Sequence, residues 1–324
     1  MACSMPSILA SVLVPFEPSD GKQMGPRAPR IAVVMSTYNG EACLAQQLDS
    51  VLAQDAPGIT VFVRDDGSSD GTVDLLEGYE RRGDVVLIRG RNEGVVSSFL
   101  DLVAAVPRDF DYISLCDQDD VWHPDKLSRA VGLLEGKDGS IPQLYCSEYY
   151  FCDEGMARVG RSHHNRIGVA FPTMLYDNMV SGNTTVINRT LADLVVAAGR
   201  EGVYTHDWWL GLVASALGEL TYDDFASLEY RRTGSNASPT GSGGMRLLRY
   251  RIRTFFGKGQ LACVTAQLER LHELYAKEMA PGDRELLERF LRGGRLGKVF
   301  APVRLRQTVG GEVALRLLFL FGLL

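Results

Sequence analysis

Between residues 31 and 127 the sequence alternates between two hydrophobic periods, and this alternation constrains the fold more than any other feature. Ile31-Ala-Val-Val-Met35 is a short apolar run stopped by the turn Ser36-Thr-Tyr-Asn-Gly40, after which Cys43, Leu44, Leu48, Val51 and Leu52 recur at helical spacing. Ile59-Thr-Val-Phe-Val63 is a second run, ended by Arg64-Asp-Asp-Gly-Ser-Ser-Asp-Gly-Thr72. A helix over about Val73 to Arg81, a strand over Val85 to Ile88, a helix over about Val95 to Val106 and a strand ending at Cys116 follow, and a further helix opens at Pro124. Such repetition predicts an α/β fold, a mainly parallel sheet with helices on both faces. Ligands of these sheets bind beyond the carboxyl ends of the strands. Three of those ends carry polar clusters: Ser36 to Asn39, Asp65 to Asp70, and Asp117 to Asp120. Unrelated surface turns would have no reason to share one edge.

The third cluster, Asp117-Gln-Asp-Asp120, sets three carboxylates within four residues at a strand end. Carboxylates so crowded repel one another unless a cation sits among them. Mg2+ or Mn2+ takes one or two protein carboxylates and fills its remaining positions with water and substrate phosphates. Asp117 and Asp119 therefore read as a metal site for a phosphorylated substrate. An acidic helix N-terminus ahead of Pro124-Asp-Lys-Leu127 accounts for the same residues.

The chain's 324 residues and 45% hydrophobic content allow one large α/β domain or two smaller ones. Six cysteines show no Cys-x-x-Cys pair and read as buried thiols of a reducing compartment. No basic segment precedes the mild apolar stretch Ile8–Val14, so no signal peptide is expected, and no apolar run reaches membrane-spanning length. Net charge is unevenly divided: residues 241–324 hold 15 Lys+Arg against 7 Asp+Glu, leaving 19 against 33 for the rest. The acidic remainder disfavours nucleic acid as a partner. The basic, amphipathic C-terminal region suits contact with anionic lipid head groups, and equally a solvated helical face with an apolar strip docked on the main domain.

Val34-Met-Ser-Thr-Tyr-Asn-Gly40, Val63-Arg-Asp-Asp-Gly-Ser-Ser-Asp-Gly-Thr72 and Cys116-Asp-Gln-Asp-Asp-Val-Trp-His-Pro-Asp-Lys-Leu127, in this order and spacing, resemble family 2 glycosyltransferases of the GT-A fold. The resemblance covers about residues 30–236. It implies an inverting enzyme that uses a nucleotide-sugar donor and a divalent metal. It implies donor contacts from the Ser36–Tyr38 turn, with Tyr38 and Asp66 at the nucleobase. It implies Asp119 as the metal ligand, and Asp117 shared between the metal and the ribose. Composition, charge and this resemblance together divide the chain into a loose leader over 1–29, a GT-A domain over 30–240 (nucleotide-sugar half 30–127, acceptor half 128–240), and a basic, amphipathic helical region over 241–324.

In the second half, Tyr204-Thr-His-Asp-Trp-Trp-Leu210 is similar to a His-Asp-Trp-Trp stretch of rhamnosyltransferase-like members, in which the Asp is the general base. The resemblance thus makes Asp207 the base, with His206, Trp208 and Trp209 on the acceptor side. Capping by Asp207, with both indoles in the core, is the competing reading. Leu228-Glu-Tyr-Arg-Arg-Thr-Gly-Ser-Asn236 is similar to a segment near the donor pyrophosphate, with Arg231 for a phosphate oxygen and Thr233 where relatives often carry His. The expected partners are a UDP- or dTDP-sugar, rhamnose favoured, and a saccharide or lipid-linked saccharide of surface polysaccharide synthesis. The expected location is the cytoplasm, at the inner face of the membrane. Asp117-Gln-Asp-Asp-Val121 also fits the signature of haloacid-dehalogenase-type phosphatases, with Asp117 as nucleophile, although three βα units precede it. A non-catalytic nucleotide-sugar-binding protein stays open as well.

Overall fold

A computed structural model describes residues 27–232 and 259–324. Most of the expected leader, Thr233 and the Arg246–Lys258 cluster lie outside the described residues. The first half follows the alternation: β1 (Ile31–Thr37), α1 (Leu44–Leu52), β2 (Ile59–Asp65), α2 (Thr72–Arg82), β3 (Val85–Arg89), α3 (Val95–Ala105) and β4 (Tyr112–Cys116). The second half adds β5 (Val121–Trp122), α4 (Lys126–Glu135), β6 (Gln143–Cys152), β7 (Arg158–Arg161), α5 (Phe171–Met174), β8 (Val186–Asn188), α6 (Arg189–Ala198), α7 (His206–Leu217) and β9 (Glu219–Arg231). Helices over Gln260–Tyr275, Pro281–Arg292, Arg295–Val299 and Val309–Phe321 complete it.

The strands form one sheet in the order β3-β2-β1-β4-β8-β6-β9-β5, with β7 beside β6. The first four are parallel, and β8 enters antiparallel to both β4 and β6. The fold is mixed, mainly parallel α/β, as the alternation predicts. β1 reads as an unbroken apolar run because it is buried on both faces. Ile31, Val33 and Met35 join the core under α1, α2 and α4, whereas Ala32 and Val34 join the opposite core. That second core also takes in α3, α6, α7 and the C-terminal helices through Leu268, Leu271, Leu287, Phe290, Leu315 and Phe319. The C-terminal helices thus pack on the sheet's own core.

Two pairings position the site. β1 lies between β2 and β4, so connections leave it in opposite directions and a crevice opens at its carboxyl end. β5 is only two residues long but pairs antiparallel with β9, Val121 opposite Glu229 and Trp122 opposite Leu228. Continuing that register brings residue 231 beside residue 119.

Candidate active site

Three loops meet at the carboxyl ends of β1, β2 and β4, and they are tied through side chains. Asn39 takes a left-handed conformation (φ 51°). Its N–H donates to Ser68 Oγ (2.9 Å) and its Oδ1 accepts from the Ser69 N–H (2.8 Å). Across the crevice, Gln118 meets the backbone of Tyr38 twice: Tyr38 N–H donates to Gln118 Oε1 (2.9 Å), and Gln118 Nε2 donates to the Tyr38 carbonyl (3.2 Å). A Cβ at Gly40 would lie 2.4 Å from Gln118 Oε1, so glycine is required for this contact. Gln118, the residue between the two motif aspartates, carried no role in the sequence reading. Tyr38 stands 48% exposed at the mouth of the crevice.

Asp65 and Asp66 are both buried, with different partners. Asp65 Oδ2 accepts from the N–H groups of Gly67 (3.1 Å) and Ser68 (2.9 Å), closing its own turn. Asp66 Oδ2 accepts from the N–H groups of Glu93 and Gly94 (3.1 Å each) at the start of α3, and its Oδ1 lies 3.2 Å from Arg64 Nη2. Ser36 Oγ is bonded to Ser98 Oγ at 2.7 Å. The donor-side residues expected from sequence therefore gather on one edge, with Ser36 and Asp66 also engaged by α3.

The acidic run crowds three carboxylates into a largely buried place. Burial, then the charges of Asp119 and Asp207, push Asp117 up to about 7, and among the described residues no hydrogen-bond donor reaches its carboxylate. Burial raises Asp119 too, partly offset by its own N–H and by Arg231. Asp120 is fully buried and raised well above the usual carboxylate range, by burial and by both neighbours, while Asn183 Nδ2 donates to it at 2.5 Å. Beneath the cluster, Lys126 is fully buried, its Nζ 4.1 Å above the Trp122 ring and without a hydrogen-bond partner. Burial lowers it to about 8. Among the described residues no three His, Cys, Asp or Glu side chains converge as a closed cage. The donor set fits a hard divalent ion that keeps most of its positions for water and phosphate: the crowded, unbonded Asp117 carboxyl near a half-buried Asp119 is a site that a cation would relieve.

Arg231 is buried, and its guanidinium is largely committed to protein. Nε donates to the Asp119 carbonyl (3.1 Å), Nη1 to the Glu154 carbonyl (3.0 Å) and Nη2 to Gln46 Oε1 (2.5 Å). It anchors the acidic loop and supplies charge beside Asp119, a different posture from the open phosphate fork expected.

The acceptor-side block is divided. Asp207 lies in the first turn of α7, half-exposed, with Oδ1 accepting from the Trp208 N–H (2.7 Å), and its charge reaches Asp117. His206 is buried and stacked on Phe99 (4.3 Å between centroids). Burial lowers its pKa against the opposing charge of Asp207, and so favours the neutral imidazole. Trp208 donates its indole N–H to the Met174 carbonyl (2.6 Å), and Trp209 is wholly buried 6.5 Å from the Tyr275 ring. Both indoles expected on the acceptor side are therefore spent on the core, because α7 is buried around nearly its whole circumference from Trp208 to Ala214. Two further carboxylates are also occupied. Glu148 accepts from Ser162 Oγ and the His164 N–H, and Asp177 pairs with Arg306.

With the geometry in hand, comparison with known proteins supports the fold. Residues 32–176 match the model of glycosyl transferase family 2. Over that stretch the chain is similar to family 2 glycosyltransferases. It is similar to the dTDP-rhamnosyl transferase RfbG of Shigella flexneri, 33% identical over 121 residues that make up 36% of this chain and 42% of that one. The chain spans about half the length of the curated relatives it matches. Among solved structures, S. aureus TarS 1-349 in complex with UDP-GlcNAc shares the fold with a TM-score of 0.52 at 15% identity, over 83% of this chain and 86% of that one. The mannosyltransferase PcManGT of Pyrobaculum calidifontis, in complex with GDP-Man and Mn2+, aligns with a TM-score of 0.51 at 17% identity, over 85% and 72%. This GT-A architecture places the Asp117 motif after the fourth strand of the sheet. The phosphatase signature belongs on a first strand, so that reading falls.

Proposed function

We propose that the protein is a metal-dependent inverting glycosyltransferase that moves a sugar from a UDP- or dTDP-linked donor to a saccharide acceptor. Rhamnose is the sugar class, and a lipid-linked surface polysaccharide is the setting. The observation that carries this reading is the convergence of Asp117, Asp119 and Arg231 at the β1–β4 crevice, with Asp207 within electrostatic reach. The dTDP-rhamnosyl transferase among the relatives supports the sugar, and the nucleotide-sugar and Mn2+ complexes of the structural neighbours support the donor and metal. The proposed divisions are the donor half over 30–127, the acceptor half over 128–240 and the helical C-terminal region.

Tyr38 lies along the nucleobase, and Asp66, whose carboxylate retains acceptor capacity beyond its bonds to α3, takes a ring N–H. Asp117 and Asp119 would hold Mg2+ or Mn2+, which when bound neutralises charge on the departing nucleoside diphosphate. Arg231 adds fixed positive charge on the same side. Asp207 removes the acceptor hydroxyl proton as that oxygen attacks the anomeric carbon, and the bond to the nucleotide phosphate breaks with inversion.

Thermal-shift screening of UDP, dTDP and GDP with and without Mn2+ tests this. Stabilisation by UDP or dTDP that requires Mn2+ and disappears in Asp119→Asn is expected. Equal nucleotide affinity in wild type and Asp119→Asn by calorimetry would sink the site.

A further inference from the structure

The helix Val309–Phe321 is apolar around most of its circumference. One face packs through Leu315, Leu318 and Phe319, all buried. The opposite face carries Val309, Val313, Leu317, Leu320 and Phe321, between 43% and 69% exposed. At about 100° per residue these five fall on one stripe about 120° wide. An all-round apolar helix is expected to be covered on every side, and half of this one is open. Among the described residues sixteen large apolar side chains are exposed, and eight of them lie between Leu296 and Leu323. Phe300, 77% exposed, is the most open of all.

Charge says what covers the stripe. Residues 292–324 hold six arginines and lysines against a single acid, Glu312. That acid is tied to Arg316 and to the N–H groups of Leu305 and Arg306. Arg292, Arg295 and Arg304 are exposed. Arg316 donates to the carbonyls of Lys298, Val299 and Ala301, so the segment bearing Phe300 is stapled to the same helix. Among the described residues no helix is long and apolar enough to cross a membrane.

We infer that the face built from Phe300, Val309, Val313, Leu317 and Phe321, flanked by Arg292, Arg295 and Arg304, docks on an anionic phospholipid bilayer, with the Val309–Phe321 helix lying in the interface plane. Apolar side chains enter the head-group boundary while exposed arginines meet the lipid charge. The surface stands independently of the glycosyl-transfer reading.

Co-sedimentation of the full chain with phosphatidylcholine vesicles, and with vesicles containing phosphatidylglycerol, tests it. The protein should bind the anionic vesicles at low salt and be released at high salt. Phe300→Ser with Phe321→Ser should weaken binding by about tenfold or more without changing Tm, since both rings are exposed. Arg292→Glu with Arg304→Glu should abolish the preference for anionic lipid. Nucleotide-induced thermal shifts should persist in all variants, which separates this surface from the donor site. Failure of the wild type to sediment at low salt, or equal binding by the Phe300/Phe321 variant, overturns the proposal. So does a concentration-dependent dimer that the same variant dissociates, because a second copy would then be the occupant.

Discussion

The donor edge and the start of α7 were marked by equally conspicuous runs of polar and aromatic residues, yet the structure uses them in opposite ways. At the edge of β1, β2 and β4 the marked residues stay at the crevice and are tied loop to loop, as in Asn39 with Ser68 and Ser69, or Tyr38 with Gln118. At α7 only Asp207 stays half-exposed, while His206, Trp208 and Trp209 enter the core. The difference follows from geometry. A parallel strand ends where its sheet ends, so every residue after it is delivered to the same crevice. Successive helix residues are turned by about 100°, so four in a row cannot all face one cleft. A contiguous motif is evidence for a shared site at a strand end and much weaker evidence on a helix.

The sharpest way to break this comparison is Asp207→Asn. If Asp207 is the one residue of its block that faces chemistry, turnover should fall by roughly 10²-fold or more, the usual scale for loss of a general base. Donor affinity should stay near wild type. Asn retains the oxygen that accepts the Trp208 N–H. Stability should therefore change by no more than about 1 kcal/mol, the weight of a first-turn carboxylate. Near-normal turnover would make Asp207 a structural residue like its neighbours.

Much of the first half was legible because burial of β1 on both faces leaves an unbroken apolar run and the helices between strands keep a clean period. β6 and β9 were not, although β9 delivers Arg231. β9 is thirteen residues long, mixes Asp223 and Asp224 with apolar residues, and departs from simple alternation where its register with β6 shifts. Gln118 and Asn183 were missed for another reason. Neither is ionisable, and each matters only through a partner that the fold supplies, the Tyr38 backbone in one case and Asp120 in the other. Lys126 was hidden in a helix start, and nothing local announces that it is fully buried beneath carboxylates.

A second prediction sharpens the comparison through pH. Asp117, pushed up to about 7, holds a proton in the folded state that an unfolded Asp would lose near 4. Between those values the folded state binds more protons, so stability must fall as pH rises through this window. Metal-free protein should lose Tm from about pH 4 through about pH 7, with little further loss above about pH 8. Asp117→Asn should flatten that slope and be more stable than wild type at pH 8. Mn2+ with nucleotide should restore wild type, and not the variant, at the same pH. A wild-type Tm that rises across the window would show that the acidic run is compensated from within, and the cation would be unnecessary.

The smallest effect is expected where the donor edge is held by neutral hydrogen bonds. Gln118→Ala removes both contacts to the Tyr38 backbone but no charge, and such bonds contribute about 0.5–1.5 kcal/mol each, less when exposed. Donor affinity should fall by about threefold to tenfold, with turnover at saturating donor unchanged, because Tyr38 would be less well positioned while Asp117 and Asp119 remain. Gly40 provides the internal control. A methyl at Gly40 strikes Gln118 Oε1, so Gly40→Ala should weaken donor binding in the wild type and much less in the Gln118→Ala background. Residues in contact couple in this way, and independent ones do not. Additive effects of the two substitutions would show that the crevice walls are set separately, and that Gln118 is a surface side chain whose contact carries no positioning role.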